Sequence, residues 1–163
     1  MKQFKDLLIE LNACKDAIDW VGDKTIEQAL ADSQRGDWLL WLAKKLDLPL
    51  NKLTLAKARC AKTVIHLMKD QRSIDAVNVA EKFGLDECTI EELNTAAADA
   101  AAYTAAYAAA AAAYAAAADA AYAAATDAAA AAKIKNRKQT SDICIEILGE
   151  LIIDAVNKKL TNL

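Results

Sequence analysis

A chain of 163 residues with a formal net charge of −3 has the length for one core, and carries no global field that would gather nucleic acid or an anionic membrane. Four glycines and the single proline, Pro49, are too few to turn the strands of a sheet protein, while abundant alanine favours helix. The expected architecture is all-α, a single-domain helical bundle over residues 1–163 with no partition into separate units.

The N-terminal stretch Met1-Lys-Gln-Phe-Lys-Asp-Leu-Leu-Ile-Glu10 has acids inside its apolar run, so it reads as an amphipathic helix rather than a signal peptide, and a cytoplasmic location follows as an expectation. Apolar periodicity predicts helices over 2–11, 13–21, 26–34, 38–46, 53–69, 74–83, 90–136 and 141–160. Thr25 with Gln28, and Thr89 with Glu92, have the spacing of capping boxes, and Asp37 and Ser73 are the expected caps of their helices.

The segment Gly36-Asp-Trp38-Leu-Leu-Trp41-Leu-Ala-Lys-Lys-Leu46 is apolar on almost every side, which predicts an interior helix with Trp38 and Trp41 as core anchors beside Trp20. In the helix predicted over 53–69, a turn of 100° per residue groups Cys60 with Val64 and Leu67 and places Arg59, Lys62, His66, Lys69 and Asp70 opposite. That charged side is the predicted partner-binding face. Cys60 and His66 stand about 120° apart on such a rod, too far round to form a thiolate–imidazolium dyad with each other.

The four cysteines, Cys14, Cys60, Cys88 and Cys144, are widely spaced, contain no Cys-x-x-Cys pair and have one histidine, His66, to join them. Neither a metal site nor a disulfide framework is expected from that pattern, and buried free thiols are. No pairing of nucleophile, base and oxyanion donor is legible in the order of residues, so neither catalysis nor a cofactor is expected.

From Ala96 to Ala132 alanine is broken only by Asp99, Tyr103, Thr104, Tyr107, Tyr114, Asp119, Tyr122, Thr126 and Asp127. Helix is expected there, as one rod or as a hairpin, since a rod over 90–136 would reach about 70 Å at 1.5 Å per residue. Tyr103, Tyr107 and Tyr114 fall on one stripe, and the alanines suit close packing against neighbouring helices. A membrane span would need Leu, Ile, Phe and Val, and an ice-binding helix a regular threonine repeat; the run has neither. The cations Lys133, Lys135, Arg137 and Lys138 are expected to close this helix against its dipole. The segment from Thr140 to Val156 has an apolar stripe that should return to the core.

Four stretches together resemble a known family: Ala13-Cys14-Lys-Asp-Ala17-Ile-Asp-Trp20; Arg35-Gly-Asp37-Trp38-Leu-Leu-Trp41-Leu42; Ala56-x-x-x-Cys60-Ala-Lys-Thr-Val64-Ile-His66-Leu67; and the Ala/Tyr/Asp-rich helix with its Asp142-Ile-Cys144 tail. They look like the all-helical immunity protein five family of bacterial polymorphic toxin systems, which also occurs in phages and prophages. The resemblance implies a cytoplasmic, non-catalytic protein that binds and neutralises a cognate toxin; the charge balance, for its part, points to no nucleic-acid or membrane partner. The motif residues Cys14, Trp20, Asp37, Trp38, Trp41, Cys60 and Cys144 are expected to serve the core. The alternative is a phage or prophage accessory or structural protein, a homo-oligomer assembled through the tyrosine stripe.

Overall fold

The computed structural model describes residues 3–68, 70–100 and 126–161, with side chains in the last stretch from residue 134 onward. The expectations for the tyrosine stripe, the alanine packing surface and the choice between rod and hairpin lie on residues 101–125, outside the described residues. The protein is all-α, and no strand occurs among the described residues.

Four short helices open the chain: α1 (Phe4–Glu10), α2 (Lys15–Val21), α3 (Ile26–Asp32) and α4 (Gly36–Lys45). They are followed by α5 (Leu50–Lys62), a 3-10 turn (Ile65–Leu67), α6 (Gln71–Gly84), α7 (residues 90–100) and α8 (Thr126–Thr161). Both expected capping boxes form. Gln28 N donates to Thr25 Oγ1 and Thr25 N to Gln28 Oε1, while Glu92 N and Thr89 N make the same exchange ahead of α7. Gln3 and Asp6 make a third around α1.

Scarce glycine is offset at the helix C-termini. Asn12, Asp47 and Asp86 take left-handed φ values of 59°, 53° and 62° just after α1, α4 and α6. At each, a paired bond ties the exit back to the last turn, as in Ala13 N to Leu8 O and Asn12 N to Ile9 O. That is the Schellman arrangement with Asn or Asp in the place usually held by glycine.

The core is organised on the second half of α8. Cys144, Leu148, Ile152 and Val156 recur every fourth residue and are fully buried, with α1, α3, α4 and α5 packed around this helix and α6 packed on α5. Glycine permits close approach at two crossings. A Cβ on Gly36 would stand 2.7 Å from the Thr140 carbonyl carbon, and one on Gly84 would stand 2.5 Å from Leu55 Cβ.

Three expectations change. The helix predicted over 53–69 stops at Lys62, where the β-branched run Thr63-Val64-Ile65 disfavours helix. There the Thr63 hydroxyl donates to the Cys60 carbonyl at 2.7 Å and accepts from Asn136 Nδ2 at 2.8 Å. The helix predicted over 141–160 has no separate start: α8 runs unbroken through 136–141, because Ser141 is buried and spends its hydroxyl on Ser33 O at 2.9 Å instead of capping. Consequently Lys135, Arg137 and Lys138 sit mid-helix, Lys138 pairing with Asp142 at 2.7 Å, and Lys158 and Lys159 occupy the last turn. The third change is in the caps. Asp37 lies in the first turn of α4, after Arg35 at the N-cap, and Ser73 is likewise inside α6, its amide donating to the capping carboxylate of Asp70 at 3.1 Å.

Candidate functional site

The predicted partner face does not exist as one helix face. Only Arg59 and Lys62 belong to α5. His66 sits on the 3-10 turn, Asp70 caps α6, and Lys69 lies outside the described residues. Arg59 and Lys62 are turned inward to α6: Lys62 Nζ bonds Glu81, and Arg59 Nε lies 3.5 Å from the same carboxylate. Arg59 also reaches Glu146 of α8 at 4.0 Å. Hydrogen bonding from Lys62, opposed by desolvation and aided by the Lys62 and Arg59 charges, holds the Glu81 carboxyl below its ordinary range. These cations clamp α5 to α6.

The tryptophans, expected in the core, are half-buried at its edge. Helices α1 to α4 enclose an apolar cavity of about 290 Å³. Phe4, Leu8, Val21, Ile26, Leu30 and Leu42 are among its lining residues, and all three tryptophans, Trp20, Trp38 and Trp41, contribute to its wall. Trp20 and Trp38 meet edge to face with centroids 5.8 Å apart, and Trp20 and Trp41 pack against the edge of the buried core.

Each ring also carries a cation. Arg35 stacks over Trp38 at 4.4 Å, Lys24 over Trp20 at 4.7 Å and Lys45 over Trp41 at 5.8 Å. Arg35 is held in place by a two-pronged bond to Asp37, Nε to Oδ1 at 2.8 Å and Nη2 to Oδ2 at 2.6 Å. The guanidinium bond keeps the Asp37 carboxyl below its usual range, against partial burial. Ser33 roots the loop before α4: it accepts Arg35 N at 3.3 Å and takes the buried Ser141 hydroxyl. Asp37 and Cys14 are the titratable residues of the lining. Asp37 is held in an ion pair with Arg35, and most of the remaining lining is apolar side chain and aromatic ring.

Cys14, Trp20, Asp37, Trp38 and Trp41, five of the seven motif positions expected to serve the core, therefore line one cavity. The remaining two meet at the junction of α5, α8 and the start of α4, where Cys60 Sγ and Cys144 Sγ stand 3.7 Å apart. Their 84-residue separation hid this pairing from a reading of spacing alone. The expectation of buried thiols holds for Cys144 only: Cys60 and Cys88 are half-buried, and Cys14 is exposed where it precedes α2. Among the described residues no three His, Cys, Asp or Glu side chains gather as metal ligands, and no helix is long and apolar enough to cross a membrane. No family model, curated protein or solved structure matches the chain.

Proposed function

We propose that this is a non-catalytic, cytoplasmic binding protein of the toxin-immunity type, and that its recognition site is the tryptophan-walled cavity of α1 to α4. The convergence of all three tryptophans on that cavity carries the reading. Half-exposed aromatic rings around an apolar recess receive an anchoring aromatic or aliphatic side chain of a partner, the arrangement that dominates binding energy at protein interfaces. The likeness of the stretches around Trp20 and Trp38 to immunity proteins supports a toxin as that partner. The Arg59 and Lys62 side of α5 is a weaker site, since Glu81 already engages both cations.

Co-expression with a candidate toxin tests the proposal. Growth rescue and co-purification by the wild-type chain are expected, with at least a tenfold loss of affinity in a folded Trp38→Ala variant and little change in Lys62→Gln. A folded wild-type chain that neither rescues nor co-purifies would sink the immunity reading. Binding lost in Lys62→Gln but kept in Trp38→Ala would return the site to α5.

A further inference from the structure

We propose that Cys60 and Cys144 form a peroxide-oxidisable dithiol, closing to a disulfide that joins α5 to α8. The proposal is independent of the binding site above and rests on the geometry of the pair. The two sulfurs are 3.7 Å apart across the helix junction, near enough that side-chain rotation and a small helix shift bring them to bonding distance. They are also unequal. Cys144 is fully buried, with the Gly36 carbonyl 3.7 Å from its sulfur, whereas Cys60 is half-buried with the Thr140 carbonyl 3.6 Å from its sulfur. A small oxidant reaches Cys60 first.

The local electrostatics give the same order. The hydrogen bond shared with Cys144 Sγ, opposed by desolvation, lowers the Cys60 thiol from its ordinary range. That same bond, with burial and the facing Cys60 and Asp37 charges, pushes Cys144 up. Cys60 is the nucleophile and Cys144 the resolving thiol that keeps its proton until needed.

The oxidant is a hydroperoxide. The Cys60 thiolate attacks the terminal peroxide oxygen, the O–O bond breaks, and the departing alkoxide takes a proton to leave as the alcohol while Cys60 becomes a sulfenic acid. Cys144 sulfur then attacks Cys60 sulfur, the S–O bond breaks, and the thiol proton leaves with the hydroxide as water. Two thiols are oxidised, and one peroxide is reduced to alcohol and water.

Exposure of the full-length protein to hydrogen peroxide, followed by intact-mass and non-reducing tryptic analysis, tests this. The expected result is a loss of about 2 Da, reversed by dithiothreitol, with peptide 60–62 joined to peptide 139–158. Dimedone should trap a sulfenic acid at Cys60 in C144A, and none at Cys144 in C60S. A bond placed instead on Cys14 or Cys88 would overturn the proposal. So would a wild-type chain in which Cys60 accumulates the dimedone adduct as fully as in C144A. The wild-type peptide map decides the matter even if either variant fails to fold.

Discussion

Half-buried tryptophan has a distinct energetic signature. A fully interior Trp removed to Ala costs about 3–5 kcal/mol, because the ring's whole transfer energy and the cavity left behind both count. Trp38 already borders a cavity and is packed by Trp20 at its edge and Arg35 on its face, so only part of that sum is at stake. Trp38→Ala should lower unfolding free energy by about 1–2 kcal/mol in urea titration. A loss near the full core value would mean that the ring is interior after all. The residue type announced a large apolar anchor. Its position at a cavity wall depends on α2 and α4 meeting, which no local pattern encodes.

At the scale of helices, contact distance decides the sign of a substitution that propensity alone would make uniformly favourable. Gly36→Ala places a methyl group 2.7 Å from the α8 backbone at Thr140, and backbone cannot yield as a side-chain tip can. It should destabilise by about 1–3 kcal/mol. Gly149→Ala, in mid-α8 with Ile145 Cγ2 as its neighbour at 3.5 Å, should instead stabilise by about 0.5–1 kcal/mol through helix propensity. Thermal melts of the two variants should therefore shift in opposite directions; a common direction would mean that the α4–α8 crossing is wider than described.

The α5–α6 clamp makes a separate prediction in pH. Glu81 has a folded pKa below its unfolded value of 4.5, so its contribution is complete above that pH and is lost as pH falls through the folded value. Glu81→Gln should cost about 1 kcal/mol at pH 7, a cost that shrinks as pH falls below 4.5 through the lowered folded value. A cost that stays unchanged on acidification would show that packing, not charge, is what the variant loses.

Over the whole molecule, what the sequence by itself determined is what depends on neighbours within a turn or two. Alanine abundance with sparse Gly and Pro specified an all-α chain, the Thr25–Gln28 and Thr89–Glu92 spacings specified two helix starts, and the apolar stripe from Ile143 to Val156 specified the helix at the centre of the core. Tertiary structure alone decided the rest. Thr140-Ser141-Asp142 has the composition of a helix start, yet Ser141 is drawn into the interior by Ser33, and the helix passes through. Arg59 and Lys62 read as a solvent-facing charge stripe until α6 supplies Glu81. The cavity needs α1 to α4 together, and the Cys60–Cys144 pair needs α5 laid on α8. Hydrogen-bond partners and packing surfaces that lie many turns away along the chain, from 19 residues for Lys62 and Glu81 to 108 for Ser33 and Ser141, leave no trace in local periodicity, because they act only once loop closure has brought them within reach.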